Sequence, residues 1–334
     1  MRKTPTVLVM TIFLAFGFKV KAQTSFKGDN RKYGYKDASG KVIIEPKYDR
    51  AWAFQEGLAV VELNKKRGHI DESGKEVIPL KYKYAWGFKQ GMAKVSVGGK
   101  YGYVDKSGKE VIPLKYDYIE FFDEEKPLAL MKINEKHGFI DKTGKEVVPP
   151  NYDNAQDFYE GLAAVNIGGT LDEEENFSGG KWGFINEAGK VVVPIIYHRV
   201  GDFNEGVAIV FKDTKKLLID QTGKELVTLR YDHIRGFLGG VAAVQMDGKW
   251  GFIDSKGKEV IAPTYEDVSY CSEGLIGVQL NEKWGFIDKT GKVVIPFTYD
   301  ICLECSNAFA NGKADVSLGG MIIYIDKQGK KVQD

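Results

Sequence analysis

Few residues in this 334-residue chain have the types and spacing that chemistry needs. Cys302-Leu303-Glu304-Cys305 has the spacing of a redox pair. It lacks the βαβ setting of such a pair, and a zinc site would need two further ligands. His69, His137, His198 and His233 share no metal-ligand spacing. Asp172 and Glu175 could pair as acid and base, but they sit in an acidic run from Thr170 to Ser178 rather than around a pocket. The sequence therefore predicts a protein that is not an enzyme and holds no metal or cofactor. Trp52 and Trp86 are the stronger candidates for binding. They occupy corresponding places in neighbouring segments, where other segments carry polar residues such as Glu120 and Gln156. Indoles there could stack against a sugar or a protein side chain, and Tyr270 is read as a later instance of the same feature.

What must position these residues is a repeat. Lys283-Trp284-Gly285-Phe286-Ile287-Asp288, followed by Gly291-Lys292 and Tyr299, recurs as Lys249-Trp250-Gly251-Phe252-Ile253-Asp254 and as Lys181-Trp182-Gly183-Phe184-Ile185-Asn186. Aligned on the glycine, seven anchors fall at Gly34, Gly68, Gly102, Gly138, Gly183, Gly251 and Gly285. Two more units have lost the Trp-Gly pair but keep the Ile-Asp and turn residues beyond it, with anchors at Leu217 and Ile323. The spacings are 34, 34, 36, 45, 34, 34, 34 and 38 residues. Self-similarity at such a period identifies an array of supersecondary units.

Each unit reads as three short strands. The first is Trp-Gly-Phe-Ile-Asp, and it ends in Asp-x-Thr/Ser-Gly-Lys, a turn that wants glycine at positive φ. The second is Glu-Val-Ile-Pro, with Pro79, Pro113, Pro149, Pro194 and Pro296 expected to end it. A tyrosine comes next (Tyr48, Tyr82, Tyr116 and onward), then a phenylalanine six residues later (Phe54, Phe88, Phe122, Phe158, Phe203, Phe237). A third strand such as Leu58-Ala59-Val60-Val61 closes the unit. No stretch has helical periodicity. The expected fold is therefore all-β, a tandem array of about nine ~34-residue three-stranded units in an open β-solenoid or superhelix. A closed propeller-like ring is the alternative, and it would require residues 26–33 to pair with residues 324–332.

Within this register Cys271 and Cys305 each stand six residues after the tyrosine, in the phenylalanine row. Equivalent positions of adjacent units suggest a Cys271–Cys305 disulfide, with two buried thiols as the alternative. The turn lysines and strand-end aspartates form parallel rows. They read either as an anion or glycan track or as turn caps beside charged strand ends.

Residues 27–332 resemble the WG-repeat family, also called KWG repeats, through these recurrences of Lys-Trp-Gly-Phe-Ile-Asp. The resemblance implies a bacterial, often exported, β-rich array with no catalytic residues to carry over. The chain departs from that pattern at Arg67-Gly68-His69, at Lys136-His137-Gly138, and in the two units without Trp-Gly, which are expected to be caps or weakly packed joints.

Residues 1–22 read as a signal peptide: Arg2 and Lys3, an apolar run from Val7 to Phe18, and a cleavage site before Gln23. Residues 23–334 would then form the array, with 43 basic against 46 acidic side chains. That balance gives no long-range pull toward nucleic acid, and no stable membrane insertion is expected after cleavage. An aromatic content of 12% excludes disorder. Together these features predict an exported, periplasmic or secreted, non-enzymatic scaffold that binds an unknown protein or ligand in the bacterial envelope or exterior. A carbohydrate- or cell-wall-binding module is the alternative.

Overall fold

The computed structural model describes residues 23–123, 126–172, 174 and 176–333, so the signal-peptide reading of residues 1–22 lies outside the described residues. The described residues contain no helix. They form nine small antiparallel sheets, each made of strands consecutive in sequence, and none closes into a barrel. The first has three strands and each of the other eight has four. Residues 26–33 pair within the first sheet, and Tyr324 and Ile325 pair with Val332 and Lys331 within the last. The exchange that a ring would need is not among the described pairings. The sheets span residues 24–48, 50–82, 84–116, 118–152, 154–197, 199–229, 233–265, 267–299 and 309–332 and are numbered 1 to 9 below. The chain divides after Tyr116 into two compact units, so sheets 1 to 3 belong to one and sheets 4 to 9 to the other.

The fourth strand is the first departure from expectation. In sheet 2 the strands are Arg50–Gln55, Leu58–Leu63, Lys66–Asp71 and Glu76–Tyr82. The stretch after each tyrosine, read from sequence as a connection, adds a short outer strand, as at Tyr84–Ala85 in sheet 3 and Asn154–Tyr159 in sheet 5. A sequence repeat therefore gives two strands to one sheet and two to the next. This phase shift links consecutive sheets covalently through the middle of every repeat.

The Trp-Gly strand and the Glu-Val-Ile-Pro strand explain each other. Phe286 pairs with Ile295 and Trp284 with Tyr299, so the second strand carries a bulge of two extra residues around Pro296. The prolines thus lie inside strands such as Val293–Tyr299, not at their ends. A bulge tolerates a residue with no N–H, and the tyrosine resumes the ladder beyond it. The bulged strand presses on the glycine opposite: a Cβ on Gly251 would stand 2.4 Å from the Ile261 carbonyl oxygen. Only glycine fits such an approach.

The Asp-x-Ser/Thr-Gly-Lys turn closes by its own side chain. Asp141 Oδ1 accepts from the Thr143 and Lys145 N–H groups and from the Thr143 hydroxyl, while Gly144 takes a φ of 86°. The same bonds recur at Asp71, Asp105, Asp220 and Asp288. There the neighbouring hydroxyl is foremost in holding the carboxyl below its usual range. The aspartate row is thus engaged in turn capping, which favours that reading over an anion or glycan track.

Within each unit, cores form between successive sheets. Along Leu58–Val61, Val60 joins the core shared with sheet 3, whereas Ala59 and Val61 join the core shared with sheet 1. Both faces of the strand are buried, so the run is continuously apolar. The main contact joins the residue after the repeat glycine to the phenylalanine of the next sheet. Phe139 meets Phe158 at 4.6 Å, Phe184 meets Phe203 at 4.7 Å and Phe286 meets Phe309 at 5.1 Å between centroids. Among the repeat tryptophans only Trp284 is buried, while Trp182 and Trp250 are half-buried against the cores. The unit anchored at Leu217 is no weak joint, because Leu217, Leu218 and Ile219 are all buried.

Sheets are also fastened at their turns. Glu160 accepts from the backbone N–H of Glu205 at 2.6 Å and of Gly206 at 2.9 Å. Glu205 does the same for Gly240, and Glu273 for Gly312. In the first unit Glu56 accepts from Gly91. The Glu-Gly turn thus caps the matching turn of the following sheet.

Cys305 is not in the phenylalanine row. Four extra residues precede sheet 9, and Phe309 fills the slot against Phe286. Cys305 is left in the longer loop, where it bonds to Cys302 across a Cα separation of 5.3 Å. Cys271 does hold the row position. It pairs with Ile276 as Phe54 pairs with Ala59, and it is a buried free thiol. The expected Cys271–Cys305 disulfide is therefore replaced by Cys302–Cys305.

Candidate binding cleft

Trp52 and Trp86 come together. With Ala53, Gln55, Val60, Arg67, Ala85 and Gly87 they line a cleft of about 280 Å³ between sheets 2 and 3. Trp52 lies on Arg50–Gln55, where Ala51 pairs with Val61 but Phe54 with Ala59. One extra residue is accommodated there, and the resulting bulge sends Phe54 back toward the core while the indole stays outside, 37% exposed. Gly87 matters for a different reason. A Cβ there would overlap the Gln55 amide at 1.6 Å, so the glycine lets Gln55 lie across the cleft floor.

Polar atoms in the core hold both tryptophans from behind. The Tyr35 hydroxyl donates to the Trp52 carbonyl at 2.7 Å, and His69 Nε2 lies 2.8 Å from the Trp86 carbonyl. Both occupy the row that is phenylalanine at Phe139, Phe184, Phe252 and Phe286. Burial pushes the Tyr35 hydroxyl well above the usual tyrosine range, with Tyr48 beside it adding to the shift. Burial also holds His69 below the usual histidine range. A carbonyl can only accept, so Nε2 carries the proton and the neutral ring leaves Nδ1 buried without a hydrogen-bond partner.

Cations cover the aromatic rings. The Arg67 guanidinium lies 4.8 Å from the Trp52 ring and 5.4 Å from Tyr84, and it also bonds Glu62 at 2.8 Å. Lys94, only 5% exposed, places its ammonium 5.4 Å from Trp86 and 5.0 Å from Tyr101. The sequence reading missed Arg67, Tyr84, Lys94, Tyr35 and His69 as parts of this site. The signal was present, because Tyr35 and His69 are polar exceptions in a largely apolar row, each 17 residues, half a repeat, before its tryptophan.

Tyr270 is not a third instance. It stands at the register of Ala53, and Ser269 takes the place of Trp52. Tyr270 is 59% exposed in the second unit and lies 5.8 Å from the Arg235 guanidinium. Among the described residues, no group of three or more His, Cys, Asp or Glu side chains gathers to hold a metal ion. The cleft offers apolar faces, a guanidinium and an amide, which suit recognition by contact and hydrogen bonding.

The fold and this cleft define a tandem β-repeat protein whose distinctive surface lies where the repeat pattern varies. The chain belongs to the family of WG-containing repeats, whose model matches at residues 33–66, 68–101, 101–136, 138–170, 182–215, 218–250, 250–284 and 284–321. No curated protein matches it. Among solved structures it is similar to a eukaryotic initiation factor at 14% identity, covering 94% of this chain and 95% of that one, with a TM-score of 0.41. It is also similar to the extracellular domain of a putative hybrid two-component system from B. thetaiotaomicron, at 10% identity and a TM-score of 0.27. That match covers 94% of this chain and 57% of the other. A third likeness is to YCF48 bound to D1 peptide, at 10% identity over 67% of this chain and 87% of that one, with a TM-score of 0.27. No helix among the described residues is long and apolar enough to cross a membrane.

Proposed function

We propose that this protein is a non-enzymatic scaffold of the bacterial envelope or exterior, and that it docks a protein partner at the Trp52–Trp86 cleft. One observation carries the reading: two tryptophans from adjacent repeats line one cleft together with Arg67, which lies over the Trp52 ring. Tryptophan and arginine are the side chains that most often dominate the energy of protein interfaces. The layout of residues 1–22, basic residues before an apolar run, supports export. A carbohydrate reading is less favoured at this cleft, because a guanidinium already lies over the Trp52 ring that a sugar would stack on.

The test is capture of envelope proteins on the immobilised full chain, compared with a Trp52→Ala/Trp86→Ala variant of unchanged melting temperature. A partner retained by the native chain and released by the variant supports the reading. Equal capture by both removes the cleft from it.

A further inference from the structure

The acidic insertion is a built arm rather than a drifting loop. Where other repeats turn on two left-handed residues, such as Asn64-Lys65 or Asn134-Glu135, the chain here continues into a hairpin of two ten-residue strands, Leu162–Leu171 and Phe177–Asn186. Its neck is fixed. Gly168, Gly179 and Gly180 take positive φ, and the fully buried Asn166 donates to the Gly179 carbonyl while accepting from the Gly169 N–H. Gly168 donates its N–H to Asp153, as Asn64 does to Asp49, so the arm starts where the ordinary turn would. Phe177 then folds back on the neck. Its ring stands 6.0 Å from Trp182, edge to face, and lies so close that a Cβ on Gly169 would meet it at 2.3 Å.

Folded this way, the arm forms one wall of a cleft of about 540 Å³ within the second unit. That wall is Gly169, Thr170, Leu171 and Phe177, and the facing one is Lys132, Glu135, His137, Asp153 and Asn154. His137 holds the place of Trp182, Trp250 and Trp284 in other repeats. A smaller ring there opens the space that the arm encloses. Two departures from the repeat, 40 residues apart, thus shape one cavity.

The chemistry of the walls selects the ligand. Lys132 is paired with Glu135 at 2.7 Å and Lys136 with Asp153 at 2.5 Å, so a charged ligand would have to break an ion pair. His137 Nδ1 lies 3.2 Å from the Asp153 carbonyl and must donate to it, which leaves Nε2 as an acceptor in the neutral ring. Burial, and Lys132 nearby, hold His137 below the usual histidine range, which favours the neutral ring. A wall of acceptors and paired charges facing an apolar ring suits a molecule with many hydroxyls and one apolar face. The volume suits about one or two hexose rings.

We infer that the cleft between the Leu162–Asn186 hairpin and His137 binds a neutral saccharide, its ring packed on Phe177 and its hydroxyls donating to His137 and the carboxylates. This site is separate from the Trp52–Trp86 cleft, so the two readings can fail independently.

The full chain would be titrated by saturation-transfer NMR and calorimetry with cellobiose, chitobiose and maltose, and screened on an array of neutral glycans. Phe177→Ala is expected to weaken binding about tenfold or more. His137→Trp restores the residue of sister repeats, so it should fold normally while filling the cleft and abolishing binding. Trp52→Ala/Trp86→Ala should bind saccharide as the native chain does. The inference is overturned if no neutral saccharide is retained, or if His137→Trp binds undiminished. It is equally overturned if binding follows Trp52 and Trp86 instead.

Discussion

Arg67 and Trp52 stack, guanidinium to indole, at 4.8 Å, and sheet 7 holds the same pair with the residue types exchanged. There Arg235 takes the tryptophan's place and lies 4.3 Å from Trp250, which takes the arginine's. Both pairs are 15 residues apart and share one strand register. The array thus has a two-residue slot that accepts a cation and an indole in either order.

That slot predicts a rescue. Trp52→Arg alone would bring two guanidinium groups together and lose the stacking. Its coupling to Arg67 in a double-mutant cycle should be about 0.5–1 kcal/mol. Adding Arg67→Trp recreates the order seen in sheet 7 and should recover most of the loss. Urea denaturation of the two single variants and the exchanged pair measures this, and a double variant no better than the singles would refute the slot.

His69 makes the first unit sensitive to acid. Its folded-state pKa is depressed, so the unfolded chain binds the proton first. Its contribution to stability is complete above the unfolded value of about 6.5 and is lost as pH falls below it toward the folded value. His69→Phe, which installs the residue of later repeats, removes both this proton and the orphaned Nδ1. The fall in melting temperature between pH 7.5 and pH 5 should be smaller in the variant. An unchanged fall would mean that His69 does not titrate on unfolding.

Close contacts within and between sheets set the largest stability losses. Gly251→Ala forces a methyl group against the Ile261 carbonyl and should cost about 1–3 kcal/mol. Phe184→Ala empties the slot facing Phe203 and should cost about 3–5 kcal/mol. Gly57→Ala tests strain without a clash, because nothing lies near its Cβ although its φ is 85°. It should cost about 1 kcal/mol. Chemical denaturation should rank Phe184→Ala worst and Gly57→Ala mildest.

The cysteines can be counted. With Cys302–Cys305 bonded and Cys271 buried, the native chain should expose no reactive thiol. Unfolding without reductant should release one, and unfolding with prior reduction three. A Cys271→Ser variant should show none on unfolding alone. Free thiol appearing there would mean that the Cys302–Cys305 bond is incomplete.

Much of this was legible in the residues. The period, the Trp-Gly strand, the Asp-x-Thr/Ser-Gly turn and the tyrosine row come from local rules: ladder pairing, turn sterics and burial of a repeated side chain act within about one repeat. Local pattern also brought Trp52 and Trp86 to notice. It gave no warning that Pro296 lies in a bulge, because a bulge is defined by the partner strand.

The remainder was decided by packing across sheets. Cys305 counts as a core residue along the chain, but the slot opposite Phe286 is filled by whichever ring reaches it, and four extra residues deliver Phe309. Arg67 reads as a broken Trp-Gly motif until its guanidinium is seen over Trp52. The acidic insertion reads as loop until Asn166 and its neighbouring glycines fold Phe177 back toward Trp182. The sequence by itself determined the repeating unit, because that unit is held by bonds within itself and its neighbour. The tertiary structure alone decided what faces what, because those contacts join residues that no local rule relates.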